Sequence, residues 1–170
     1  MRHVRSWLTI VFALGGWIAA TSADEPAKAP APRPIPGITA PDAFPGGCVD
    51  CHVVMPDGQD VRISILVGKM TTGVSPELLS LAQRSMPTGA KLKGRHPEVE
   101  DSFEDIPAAC LDCHGADSRK APPFNRMLHA IHLENRKGNH FLAMFQGECT
   151  HCHKLDAESG EMRIPSGPEK

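Results

Sequence analysis

The chain has 170 residues, a formal net charge of −2 with histidine counted as neutral, and 5% aromatic residues. This length suits one modest domain, and the slightly acidic balance argues against a nucleic-acid partner. Tyrosine is absent and both tryptophans, Trp7 and Trp17, lie near the N-terminus. Aromatic rings normally supply much of the buried area of a core, so something else must fill this one.

Residues 1–23 have the pattern of a secretory signal peptide. A short basic stretch is followed by an apolar run from Trp7 to Ala20 and then by small residues up to Ala23. The run is short for a membrane span and contains two adjacent glycines. We expect cleavage after Ala23 or, alternatively, retention of residues 7–20 as an uncleaved anchor in the inner membrane. In both cases the rest of the chain would be periplasmic.

The remaining chain divides into a linker, a domain and a tail. Residues 24–46 are rich in proline and are predicted to form a semi-extended linker. Residues 47–156 contain all six cysteines and are predicted to be the functional domain. Residues 157–170 are predicted to be a C-terminal tail.

Periodicity predicts a few short elements within the domain. Alternating residues between Val53 and Ile65, around Pro56-Asp57-Gly58, predict a small hairpin. Ser75-Pro76 predicts a helix start, and that helix should end before Pro87. A second helix should begin near Phe124 and stop at Gly138, and a short third helix should cover 140–146. The fold class is therefore predicted to be mainly α, with much irregular loop and one small β-hairpin.

Three copies of the pattern Cys-x-x-Cys-His dominate the domain, and they begin at Cys48, Cys110 and Cys149. Zinc ribbons and four-cysteine iron–sulfur sites combine two cysteine pairs. Three pairs would leave one unused, and the histidine that follows each pair would be unexplained. Redox-active disulfides of this spacing occur near a βαβ pattern, which the sequence does not show.

Covalent haem attachment explains both features of the motif. Two sulfurs one helical turn apart form thioethers to the porphyrin, and the next histidine binds the iron. Three haems would also supply the flat apolar bulk that the aromatic residues do not. The predicted thioether-forming residues are Cys48, Cys51, Cys110, Cys113, Cys149 and Cys152, and the predicted proximal ligands are His52, His114 and His153.

These motifs resemble those of the multihaem c-type cytochromes, in particular small tri-haem and tetrahaem periplasmic carriers. The resemblance covers residues 47–156 and implies an architecture whose core is haem. Members of this family usually have histidine on both sides of each iron. The resemblance therefore implies three distal histidines, and the stretches GRHPEV (94–99) and LHAIHL (128–133) look like places where the family keeps them.

Four histidines are the distal candidates: His132, His96, His129 and His140. His132 continues the apolar stripe that starts at Phe124, and His129 precedes it by three residues on the same predicted helix. His96 is held extended by the proline that follows it. His151 lies inside the third motif, where its ring would have difficulty reaching another iron, so we expect it to meet water or a haem propionate. Methionine is the alternative ligand, and five methionines are in range: Met55, Met70, Met86, Met127 and Met144.

The leading functional hypothesis is electron transfer. An iron with histidine on both sides has no open position for a substrate, so the expected partners are redox proteins. These would be a donor such as a quinol dehydrogenase or another cytochrome, and an acceptor reductase. The first alternative is a small multihaem reductase with one open haem. The second is an electron-transfer subunit of a membrane respiratory complex, which would fit retention of residues 1–23.

Overall fold

The computed structural model describes residues 31–134 and 139–170, and residues 33–170 form one compact unit. The predicted signal peptide and anchor lie outside the described residues, as do residues 24–30 of the predicted linker. Within the described ranges, no helix combines the length and the apolar character of a membrane span.

Short helices joined by loops make up the compact unit, which confirms the prediction of a mainly α fold. The α-helices of the described residues are α1 (Cys48–Cys51), α2 (Ile63–Thr72), α3 (Pro76–Ser85), α4 (Leu111–His114), α5 (Phe124–Leu133) and α6 (His140–Phe145). Two 3-10 turns cover Glu100–Glu104 and Cys149–His151. Strands β1 (Lys154–Leu155) and β2 (Met162–Arg163) form an antiparallel pair in which Lys154 lies opposite Arg163.

Helix α3 begins and ends where its sequence predicts. The side chain of Ser75 accepts a hydrogen bond from the main-chain amide of Leu78 at 3.3 Å, and Pro76 occupies the first turn. A capping hydroxyl satisfies one of the amides that the first turn leaves without a partner. The helix ends at Ser85, and Pro87 follows the capping residue Met86. Both predicted ends are confirmed.

The hairpin predicted between Val53 and Ile65 is wrong in its second half. A single bridge joins Val54 to Asp60, and the chain then enters α2 at Ile63. Apolar residues at 63, 66, 67 and 70 follow the helical period, and this longer pattern outweighs the short alternation before it. The two-stranded sheet of the protein lies instead at β1 and β2, which fall in the end of the predicted domain and in the predicted tail.

Helix α5 begins at Phe124 as predicted but ends at Leu133, before the predicted stop at Gly138. The side-chain amide of Asn139 donates to the carbonyl oxygens of His132 and Glu134, at 2.9 and 2.7 Å. These carbonyls would otherwise lack partners at the helix end. Asn139 also accepts from the amide of Leu142 and so starts α6, whose predicted position is confirmed.

The compact unit extends beyond the predicted domain in both directions. On the N-terminal side, Arg33 lies in the segment predicted to be linker and forms an ion pair with Glu148 at 2.8 Å. On the C-terminal side, the main chain of Gly167 exchanges two hydrogen bonds with that of Ile106. The Glu169 carboxylate accepts from the amide of Ser64 at 2.9 Å. Long-range contacts that local composition does not reveal therefore hold both flanking segments.

The core is thin for a chain of this size. Helix α5 packs against α3 and α6, and α2 packs against the turn at Glu100–Glu104. Apart from prolines, the buried apolar side chains among the described residues are Val49, Leu81, Met86 and Ile106. A domain normally buries its apolar surface in one contiguous core. Four such side chains are few for that purpose.

Candidate metal centre formed by three histidine pairs

All three Cys-x-x-Cys-His motifs have the same backbone hydrogen bond. The main-chain amide of the motif histidine donates to the carbonyl oxygen of the first cysteine, at 2.9 Å in the first motif, 3.0 Å in the second and 2.9 Å in the third. This bond closes one helical turn. Each motif therefore has one helical turn between its first cysteine and its histidine.

Each motif histidine faces one of the predicted distal histidines. The first pair is His52 with His132, with ring centres 6.2 Å apart. The second pair is His96 with His114, at 6.0 Å. The third pair is His129 with His153, also at 6.0 Å. Three of the four distal candidates thus lie opposite the three motif histidines, one opposite each.

The separation of the rings is the one expected for two imidazoles on opposite sides of one metal ion. Bonds from imidazole nitrogen to a transition metal are about 2.0 Å long, and each ring centre lies roughly 1 Å behind its nitrogen, which gives about 6 Å between centres. Histidine rings in direct stacking contact would be closer. The residues present therefore fit a metal ion bound between each pair.

Hydrogen bonds fix the tautomer of four of these six histidines. In the first pair, Nδ1 of His52 donates to the carbonyl oxygen of Val61 at 2.8 Å, and Nδ1 of His132 donates to that of Leu128 at 2.9 Å. A carbonyl oxygen only accepts, so the proton must be on Nδ1. The Nε2 atom then keeps its lone pair for a metal ion.

The second pair has the same arrangement. Nδ1 of His96 donates to the carbonyl oxygen of Pro97, and Nδ1 of His114 donates to that of Pro122, both at 2.7 Å. His114 is buried, and this burial lowers its pKa, which favours the neutral ring that a metal ligand must be. In the third pair, within the described residues, neither His129 nor His153 has such a partner.

Helix α5 supplies one histidine to each of two pairs. His129 and His132 are three residues apart, on neighbouring turns, and their side chains diverge enough to face different motifs. His132 faces the first motif and His129 faces the third. The first residue of the helix, Phe124, stacks on His114 of the second pair, with ring centres 4.4 Å apart. One short helix therefore contacts all three pairs.

His140 and His151 lie outside the three pairs. His140, the fourth distal candidate, is the first residue of α6 and is exposed. His151 is buried among Phe44, Phe145 and Phe141, at ring distances of 4.9, 5.9 and 6.4 Å. Its Nδ1 atom has no hydrogen-bond partner in the described part of the chain. Its expected contact with water or a propionate stays a prediction.

Phenylalanine rings around the pairs were not predicted from the sequence as part of the site. Phe141 contacts His132 edge-on at 5.5 Å, and Phe124 stacks on His114. The scarcity of aromatic residues in the sequence was the one signal that could have indicated these contacts, because few rings are present to pack around the site.

Four cysteine thiols lie in surroundings that disfavour thiolates: Cys48, Cys51, Cys110 and Cys152. Burial raises the pKa of Cys48 to about 11 and that of Cys51 to about 11, with a further contribution from the nearby Cys152. Burial also raises the pKa of Cys110 and of Cys152. Thiolate ligands and reactive redox cysteines need the opposite shift. A thioether carries no charge, so its burial has no comparable desolvation cost.

A partly buried ion pair supports the third motif. Nζ of Lys154, the residue after His153, lies 2.9 Å from the Asp42 carboxylate and donates to the carbonyl oxygen of Thr150 at 2.6 Å. Burial acts to raise the pKa of Asp42, but hydrogen bonds from Lys154 and from the amide of Phe44 outweigh it and hold the pKa below its ordinary value. This pair lines a cleft of about 250 Å³ beside His153.

Comparison of the chain with family models, with curated proteins and with solved structures found no match. Among the described residues, no group of three or more histidine, cysteine, aspartate or glutamate side chains is placed to hold a metal ion. The histidine pairs are smaller sets, with two side chains each. Two protein ligands suffice only where another group completes the coordination of the metal.

Proposed function

We propose that this protein is a periplasmic electron-transfer protein that carries three covalently attached c-type haems. The observation that carries the proposal is the set of three histidine pairs, each made of one motif histidine and one distant histidine about 6 Å away. Porphyrin supplies four nitrogens to its iron, so a haem needs only the two axial ligands that each pair offers.

The cysteines support covalent attachment. Each pair of sulfurs lies next to the histidine of its own motif, and all six cysteines belong to these motifs. Burial raises the pKa of Cys48 and Cys51, which disfavours binding of a metal ion by their thiolates. Thioethers formed from the same sulfurs are uncharged and tolerate that burial.

The thin core also supports the proposal. Few apolar side chains are buried, while Leu111 and Met144 are among the large apolar side chains that remain exposed. Three porphyrins would provide the apolar surface that such a chain otherwise lacks. The bond from each iron to its distant histidine would join separate segments, as disulfides do in other small exported domains.

The proposed chemistry is electron transfer without a bound substrate. When bound, the haems would supply one-electron redox centres. The histidine pairs would supply both axial ligands of each iron, so no ligand position would remain for a substrate. In the first and second pairs, Nδ1 hydrogen bonds hold the rings in place. We expect brief contacts of small area with a donor, such as a quinol dehydrogenase or another cytochrome, and with an acceptor reductase.

A small multihaem reductase is the second candidate. Among the three histidine pairs, the third is the one whose features favour this function. His129 is exposed, and within the described residues neither His129 nor His153 is oriented by a hydrogen bond from Nδ1. A distal ligand held so weakly is the easiest to displace by a substrate such as a nitrogen or sulfur oxyanion. Loss of His129 from the iron would leave one open coordination position.

One experiment tests both candidates. The protein is produced with its N-terminal segment in a host that attaches haem to exported proteins, and the purified product is examined by mass spectrometry and by electron paramagnetic resonance. If the protein is an electron carrier, its mass should exceed that of the polypeptide by three haems, and its ferric iron should be purely low-spin. A high-spin ferric component would favour the reductase. A colourless product whose cysteines are free or joined as disulfides would exclude both.

A further inference from the structure

The three histidine pairs differ in the angle between their ring planes, although their separations are nearly equal. The angle is 89° for His52 and His132, 38° for His129 and His153, and 8° for His96 and His114. The second pair is thus nearly parallel and the first pair is perpendicular. Three sites that share one motif are therefore not equivalent.

The parallel arrangement of the second pair has an identifiable cause. The ring of His114 lies against the ring of Phe124, with centres 4.4 Å apart and planes 27° apart. Its Nδ1 atom donates to the carbonyl oxygen of Pro122, two residues before Phe124. Rotation of the His114 ring out of its present plane would break this hydrogen bond and bring the ring against Phe124.

The partner ring of the second pair is held as well. Nδ1 of His96 donates to the carbonyl oxygen of Pro97 at 2.7 Å, and the main-chain amide of His96 donates to that of Met70 at 3.0 Å. The residue after His96 is proline, which restricts its backbone. His96 therefore provides a fixed direction, and Phe124 is the side chain that aligns His114 with it.

The relative orientation of two axial imidazoles changes the electronic state of a low-spin iron. Each ring donates electron density from a filled π orbital perpendicular to its plane into one of two d orbitals. Parallel rings act on the same d orbital and raise it above the other. Perpendicular rings act on one orbital each and leave the two nearly equal in energy.

This difference affects both the spectrum and the redox equilibrium. Ferric low-spin iron has one vacancy in these orbitals, and the vacancy is stabilised when one orbital is raised. Parallel rings therefore favour the ferric state and lower the reduction potential. They give three well-resolved g values, whereas perpendicular rings give one large g value and strong anisotropy.

We propose that Phe124 is a positioning residue of the second site, which holds His114 parallel to His96 and so keeps the reduction potential of that haem low. The inference rests on the proposed function, because it concerns the haem bound between this pair. It concerns a residue outside the Cys-x-x-Cys-His motif and outside the pairs themselves. Phe124 also begins α5, so the alignment is built into the helix that supplies His129 and His132.

The test compares the haem-loaded protein with its Phe124→Leu variant. Leucine keeps the apolar bulk but not the flat face against His114. We expect the variant to retain three low-spin haems, to lose the rhombic signal in favour of a more anisotropic one, and to have a higher potential at that haem. Mere opening of the site to water would instead stabilise the charged ferric state and lower the potential.

Two further variants complete the test. Phe124→Tyr keeps the ring face and should retain the rhombic signal and the potential of the parent. Phe145→Leu is the matched control, because Phe145 contacts Phe44, Phe141 and His151 but no paired histidine. It should leave the rhombic signal unchanged. His96→Ala should abolish that signal and so assign it to the second site.

The outcomes separate this inference from the proposed function. A parent protein with three low-spin haems but no rhombic signal would overturn the inference alone. So would a Phe124→Leu variant whose rhombic signal and potential match those of the parent. A parent protein without haem, or with only high-spin iron, would overturn the proposed function itself.

Discussion

His129 and His132 lie one turn apart on α5 and face histidines of two different motifs, His153 and His52. This arrangement makes α5 the element that joins the first and third motifs, which are far apart in the sequence. Because α5 also packs against α3 and α6, the positions of both rings depend on the packing of three helices. The predictions below concern these rings, the cysteines and the contacts that hold the surrounding segments.

Replacement of His132 by alanine should convert one of three haems to high-spin iron. Under the proposed function, the variant would lack one axial ligand but no thioether, so all three haems should stay attached. The spin state is measured by electron paramagnetic resonance and the haem count by mass spectrometry. His140→Ala is the matched control and should stay fully low-spin, because His140 is exposed and lies outside the pairs. A His132→Ala spectrum equal to that of the parent would show that another residue binds that iron.

Replacement of both cysteines of the second motif, Cys110→Ala with Cys113→Ala, should leave two covalently bound haems. The first and third motifs keep their sulfurs and their histidine pairs. The mass of the denatured protein should therefore fall by one haem relative to the parent. Leu111→Ala is the control within the same motif, since Leu111 is exposed and forms no thioether. Three haems on the double variant would exclude covalent attachment at this motif.

Replacement of Asp42 by asparagine should destabilise the protein by about 1–2 kcal/mol, because it leaves the ammonium group of Lys154 without its partly buried partner. The free energy of unfolding is measured with denaturant. Glu134→Gln is the matched control. Glu134 pairs with Arg84 at an exposed site, and exposed pairs contribute between about 0 and 1 kcal/mol.

The contribution of Asp42 should also depend on pH. The folded state holds the pKa of Asp42 below its ordinary value of 3.8. The stabilisation is therefore fully present above that value and is lost as the pH falls through the lower pKa of the folded state. The difference in unfolding free energy between the parent and Asp42→Asn should be constant near neutral pH and should shrink below pH 3.8. A difference that grows on acidification would contradict this assignment.

Replacement of Glu169 by alanine should cost about 1 kcal/mol, because its carboxylate accepts from the main-chain amide of Ser64 in the first turn of α2. The unfolding free energy of the haem-loaded protein is the measurement. Glu158→Ala is the control, as Glu158 is exposed on the turn between β1 and β2. Equal stabilities of the two variants would show that the Glu169 carboxylate does not stabilise α2.

The sequence by itself determined the features that depend on local spacing. The three motifs, the start of α3 at Ser75-Pro76 and the position of α6 follow from a few neighbouring residues whose chemistry is unambiguous. The four distal candidates were also limited by the small number of histidines. In each case the deciding interaction joins residues within one or two helical turns, so the pattern can be read along the chain.

Only the tertiary structure decided which histidine faces which. Spacing gave no reason to place His132 opposite His52, His129 opposite His153 and His96 opposite His114, while leaving His140 exposed. It also did not indicate that residues 33–46 and 157–170 belong to the compact unit. These outcomes depend on how α5 packs and on hydrogen bonds between distant segments. Such contacts are set by the balance of the whole fold, and no local pattern encodes them.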